Sequence, residues 1–178
     1  PKTKAVIINT PNNPTGVVYS VDTLKDLADI LNRKQKEYAS SIYLISDEPY
    51  RELVYDGVEV PYLTKYYNNT IVGYSFSKSL SLPGERIGYL VIPDEADASA
   101  DIKAAANVAN RILGFVNAPS LIQRALMHCL DLEVDIEAYN RNRLLLYNSL
   151  ISFGYSCIKP QGAFYLFVKS LEPDDAAF

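Results

Sequence analysis

Thr70-Ile71-Val72-Gly73-Tyr74-Ser75-Phe76-Ser77-Lys78-Ser79-Leu80-Ser81-Leu82-Pro83-Gly84-Glu85-Arg86-Ile87-Gly88 sets a lysine among small hydroxyl residues, between an apolar run and a Pro-Gly-X-Arg turn. The run Thr70-Ile71-Val72-Gly73-Tyr74 reads as a buried strand, so Lys78 falls where that strand opens into a polar loop. Lysine shifts its pKa readily on desolvation, and its neutral amine forms Schiff bases with carbonyls. Arg86 is a permanent cation whose fork fits phosphate. A ligand carrying both an aldehyde and a phosphate satisfies the two residues together. The same stretch fixes a strand direction. The link from Tyr74 to the next apolar run, Ile87-Gly88-Tyr89-Leu90-Val91-Ile92, is too short for a parallel crossover, so that strand is expected to run antiparallel.

Upstream, Ala5-Val6-Ile7-Ile8 reads as a strand that is stopped by Asn9-Thr10-Pro11-Asn12-Asn13-Pro14-Thr15-Gly16, a stiff proline-rich loop. Leu24, Leu27, Ala28 and Leu31 then recur at helical spacing, entered through Ser20 and Asp22. Ile42-Tyr43-Leu44-Ile45 is the next strand, and Ser46-Asp47-Glu48-Pro49-Tyr50 ends it with an acid and a phenol. This is a βαβ unit. The expected fold is α/β, a three-layer α/β/α arrangement on a mixed, mostly parallel sheet with strands at residues 5–9, 42–46, 70–75 and 86–92 in sequence order, the fourth reversed. All three motifs follow strands, and open α/β sheets bind ligands beyond the carboxyl ends of their strands, so the motifs are expected to converge on one crevice.

Beyond Pro93 the pattern predicts helices over residues 95–112, 119–131 and 133–153, followed by β-rich sequence at Cys157-Ile158 and at Ala163-Phe164-Tyr165-Leu166-Phe167-Val168. The expected organisation is a larger domain over residues 1–132 and, over 133–178, a linking helix and the beginning of a smaller α+β domain. The single histidine, His128, sits among Leu126, Met127 and Leu130 and is expected to pack against neighbours. Arg111 reads as a surface or interface residue.

The chain has 178 residues, 48% of them hydrophobic, enough for one good core or two small ones. A net charge of −4 without any basic run argues against a nucleic-acid or anionic-membrane surface. No stretch has membrane-spanning length and no targeting signal is visible. Cys129 and Cys157 are too few and too isolated for a disulfide framework or a zinc site, so no metal centre is expected and a cytoplasmic location is.

The three motifs, in this order, resemble those of fold-type I aminotransferases of class I/II, the aspartate aminotransferase family, over essentially the whole chain. The resemblance implies pyridoxal 5'-phosphate as cofactor, amino acid and 2-oxo acid substrates, a place in amino acid metabolism, and a homodimer. It implies that Lys78 holds the cofactor as a Schiff base and then moves a proton between the substrate α-carbon and the cofactor. Asp47 matches the acid facing the pyridine nitrogen. Tyr50 and Asn13 match the pair that hydrogen-bonds the ring's phenolic oxygen. Ser75 and Arg86 match phosphate ligands, with Ser77 a further candidate. Lys78, Asp47 and Tyr50 are thus the candidate catalytic residues. The leading donor is aspartate and the acceptor a 2-oxo acid such as 2-oxoglutarate.

Pro1 in place of an initiator methionine, and a terminus at Asp174-Asp175-Ala176-Ala177-Phe178 resembling the opening turn of a helix, lead to the expectation of an internal fragment. Family members also carry a glycine-rich phosphate loop, an aromatic residue stacked on the ring and an arginine that grips the substrate α-carboxylate, none of which is found here. The fragment alone is therefore expected to be inactive. Two other functions share the motifs: a carbon–sulfur β-lyase of the same fold, and the aminotransferase-like sensor domain of a transcription regulator.

Overall fold

A computed structural model describes residues 2–176. The last two positions of the helical turn expected at 174–178 lie outside the described residues. Contacts divide the chain into two compact units. The first comprises the stretch up to Asn9, Tyr19–Pro49 and Pro61–Glu133; the second comprises Thr10–Val18, Tyr50–Val60 and the stretch from Val134 onward.

In the first unit, four strands form one sheet in the order β1 (Ala5–Asn9), β2 (Tyr43–Asp47), β3 (Thr70–Ser75) and β4 (Gly88–Val91). The first three are parallel and β4 is antiparallel, with Ser75 opposite Gly88 and Tyr74 opposite Tyr89. The sheet is therefore mixed and mostly parallel, and the short link after Tyr74 does reverse the chain. Helix α1 (Val21–Tyr38) connects β1 to β2. Ser20 caps it by accepting a hydrogen bond from the Thr23 amide, and Leu24, Ala28 and Leu31 form its buried stripe. That stripe packs with Ile42, Leu44, Leu63 and Tyr67 into the unit's core.

The three helices expected beyond Pro93 are all shorter in the structure, and the last of them, expected over 133–153, runs from Ile136 to Ser152. Residues 95–98 turn before helix α3 (Ser99–Ile112) begins, because Ala98 adopts a left-handed conformation at φ 52. Helix α4 spans Ser120–Leu126 and stops well short of residue 131. His128 lies in the turn that follows and is exposed, so the packing expected for it is not what the structure shows. No helix among the described residues is long and apolar enough to cross a membrane.

The second unit is built on helix α5 (Ile136–Ser152), capped by Asp135 through the Ala138 amide. The β-rich piece after it forms a small antiparallel pair, β5 (Ser156–Cys157) with β6 (Val168–Lys169). Residues 163–167, expected as strand, form none: Ala163 is fully buried with Tyr50 and Leu53, Tyr139 and Tyr165 pack against this cluster, and Phe164 and Phe167 are exposed. Gly16 sits at φ +68 with its carbonyl accepting from the amides of Gln161 and Gly162 at 2.8 and 2.9 Å. The proline-rich loop is thereby stitched to the 160–163 segment.

Candidate functional site

In the first unit, three candidates line one open cavity of about 790 Å³: Asp47, Ser75 and Arg86. Sheet topology explains how. Asp47 is the last residue of β2 and Ser75 the last of the neighbouring parallel strand β3, so their side chains emerge at the same carboxyl edge. Gly73 and Tyr74 of β3, Gly88 and Tyr89 of β4 and Lys103 of α3 complete much of the lining.

Ser75 ends the strand and caps the four-residue helix α2 (Phe76–Ser79) that carries Lys78. Its hydroxyl accepts from the Ser77 amide at 3.2 Å and shares a 2.7 Å hydrogen bond with the Ser77 hydroxyl. Lys78 follows directly and is half-buried. Arg86 adopts a left-handed conformation at φ 51, uncommon for a residue with a side chain, and its Nη1 donates to the Pro83 carbonyl at 2.7 Å. The turn that precedes it thereby orients the guanidinium, whose fork carries five N–H donors in all. Lys103 is ion-paired with Asp94 at 2.5 Å.

Asp47 accepts from Asn9. The Asn9 Nδ2 donates to the Asp47 carbonyl at 2.9 Å and to the carboxylate Oδ2 at 3.2 Å. Partial burial pushes the Asp47 carboxyl above its ordinary value, and the Asn9 bond pulls against that shift. The residue is exposed at the cavity. Glu48, next along, is buried and accepts from the Ser46 hydroxyl at 2.6 Å; it belongs to the core, not the cavity. Arg111 is exposed near the end of α3.

Tyr50 and Asn13 meet in the second unit. The Tyr50 and Tyr165 hydroxyls share a hydrogen bond at 2.7 Å, and Asn13 Nδ2 donates to the same Tyr165 oxygen at 3.4 Å. Tyr50 is buried, edge-on to the rings of Phe164 and Tyr165. Both candidates thus converge on Tyr165, which the sequence reading had placed in a strand. Asn9 beside Asp47 in the first unit, and Tyr165 beside Tyr50 in the second, are contacts that the motifs do not announce. A signal for Asn9 existed: β1 and β2 each end in a polar residue, and a parallel register sets Asn9 opposite Asp47.

A carboxylate, a hydroxyl and a guanidinium around one cavity suit a ligand with a protonated ring nitrogen and a phosphate. A family model described as aminotransferase class I and II matches residues 1–177. The aspartate aminotransferase of Geobacillus stearothermophilus is 34% identical over 97% of the chain, and that of Bacillus subtilis is 36% identical over 96%. The chain spans 43% of the length of each of these relatives. Among solved structures, an amino transferase from Eubacterium rectale superposes with a TM-score of 0.95 at 57% identity, over 98% of this chain and 44% of that one.

Proposed function

Because the chain belongs to the class I and II aminotransferase family, we propose that the protein transfers an amino group from an amino acid, with aspartate the leading donor, to a 2-oxo acid such as 2-oxoglutarate. Pyridoxal phosphate is the family's cofactor. When bound, it supplies an electron sink for the charge left on the substrate α-carbon. The observation that carries the proposal is the single cavity lined by Asp47, Ser75 and Arg86 in a chain of this family.

Lys78 would hold the cofactor at its aldehyde through Nζ, and its amine would hold and move a proton at the substrate α-carbon. Asp47 holds the proton on the ring nitrogen as an anionic partner. Arg86 and Ser75, with Ser77, bind the phosphate; the bond from Nη1 to Pro83 leaves other donors of the guanidinium to do so. Tyr50 and Asn13 donate to the ring's phenolic oxygen. The boundary expected near residue 132 is carried into this proposal; the contact units change between Glu133 and Val134, and Thr10–Val18 and Tyr50–Val60 group with the later stretch.

The test uses the full-length protein. Adding pyridoxal phosphate should give a visible absorbance band, borohydride should fix the cofactor, and peptide mapping should locate it on Lys78. Aspartate and other amino acids are then screened against 2-oxoglutarate. Label on another residue, or no uptake at all, would defeat the proposal.

A further inference from the structure

We propose that Asn9 is a positioning residue for the reaction, holding the Asp47 carboxylate ionised and aimed while leaving its second oxygen for the cofactor. The inference rests on the cofactor role of Asp47 given above. Asn9 and Asp47 are the terminal residues of adjacent parallel strands and lie opposite one another in the register. One amide nitrogen makes both hydrogen bonds, 2.9 Å to the Asp47 carbonyl and 3.2 Å to Oδ2. The amide has two protons, so each bond has its own, and the bond to the main chain fixes where the second proton points. The carboxylate is thus held from one side at Oδ2, which leaves Oδ1 to face a ring N–H.

A neutral donor suits this task better than a charged one. A cation at position 9 would compete with the cofactor nitrogen for the anion, and an acid would repel it and drive its proton affinity up. On the other side of β2, the residue opposite Asp47 is Gly73, which has no side chain to offer. The charged and titratable groups that line the same cavity are Arg86, Lys103, Tyr74 and Tyr89. Among the described residues Asn9 is the side chain that donates to this carboxylate, and its bond lowers the carboxyl pKa against the rise caused by burial.

The experiment compares wild type, Asn9→Ala and Asn9→Asp in the full-length protein by two measurements. In the cofactor-free protein, carbon-detected NMR follows the Asp47 carboxyl, identified by its loss in Asp47→Asn. Asn9→Ala should raise its midpoint by about half a pH unit, a roughly threefold change in proton affinity, and Asn9→Asp should raise it further. In the loaded protein, visible absorbance follows cofactor release on acidification, which should move to higher pH in the same order. A role for Asn9 confined to ending the strand would alter thermal stability and leave both midpoints where they were, and that result overturns the inference. Asn9→Asp keeps the size and polarity of the side chain, so the test stands even where Asn9→Ala folds poorly. Unchanged midpoints in variants of a wild type that binds cofactor at Lys78 refute the Asn9 role alone. A wild type without cofactor refutes the function as well.

Discussion

Arg143 of α5 reaches Asp56 at 2.8 Å across 87 positions of sequence, and the same guanidinium donates to the Pro160 carbonyl at 2.6 Å and to Asn140 at 3.0 Å while lying over the Tyr55 ring. The Arg143 side chain is only 4% exposed. It ties together the three segments that make up the surroundings of Tyr165. Arg143→Met keeps much of the buried stem and removes the donors, stranding the Pro160 carbonyl. The expected loss is about 2 kcal/mol in urea unfolding of the full-length protein. A variant as stable as wild type would show that the guanidinium does not hold this unit together.

The same pair carries an acid dependence. Arg143 first, and Lys159 second, hold the Asp56 carboxyl below its ordinary value of 3.8. Folding therefore favours the ionised form. This contribution is complete above pH 3.8 and fades as the pH falls through the lowered folded value. Melting temperatures of wild type and Arg143→Met should accordingly draw together as the pH drops below that point. A gap that stays constant would contradict the assignment.

Gly16 is required where it stands. A Cβ there would lie 2.5 Å from the Pro160 Cβ and 2.9 Å from the Gly162 oxygen, on a backbone at φ +68. Neither neighbour is the far end of a flexible side chain, so relief requires the loop to move. Gly16→Ala is expected to cost about 1–3 kcal/mol and to displace Asn13, its near neighbour in the loop. Denaturant unfolding measures the first effect; a change within about 0.5 kcal/mol of wild type would mean the loop yields freely.

The sheet was legible because its strands are short apolar runs, the first three closed by a polar motif, and because chain length between Tyr74 and Gly88 forbids a crossover. Local pattern did less well where tertiary contacts decide. Ala163-Phe164-Tyr165-Leu166-Phe167-Val168 has strand composition, yet the Ala163 amide bonds the Leu53 carbonyl and its own carbonyl accepts from the Tyr55 hydroxyl at 2.6 Å, so its start is tied to another segment and only Val168 enters β6. Asp47, Ser75 and Arg86, which line one cavity, lie in motifs that carry their own chemistry. Asn9 and Tyr165 act through partners 38 and 115 or more positions away, and spacing along the chain does not reveal such contacts.

Tyr67 makes the first unit sensitive to alkali. Its buried hydroxyl donates to the Ile42 carbonyl at 2.5 Å, and burial pushes the phenol from 10.0 up to about 12. Only the neutral form can donate. The raised folded value means that its contribution is fully present below pH 10 and is lost as the pH rises from there toward about 12. Tyr67→Phe should lower the melting temperature at neutral pH and make its decline above pH 10 less steep. Parallel alkaline limbs in the two proteins would rule this out.

Tyr165→Phe tests whether the hydroxyl pair with Tyr50 is energetically coupled. The hydroxyls share one hydrogen bond, and Asn13 also donates to the oxygen that the substitution deletes. Tyr165→Phe alone should cost about 1 kcal/mol, and Tyr50→Phe a similar amount, because each leaves a partly buried hydroxyl without that partner. Removing both deletes the bond and the stranded group together, so the double variant should be more stable than the sum of the single losses predicts. A coupling of about 0.5 kcal/mol or more in the double-mutant cycle is the expected result. Strict additivity would mean that the two phenols merely lie close, and that the contacts linking Asn13, Tyr165 and Tyr50 have no energetic basis.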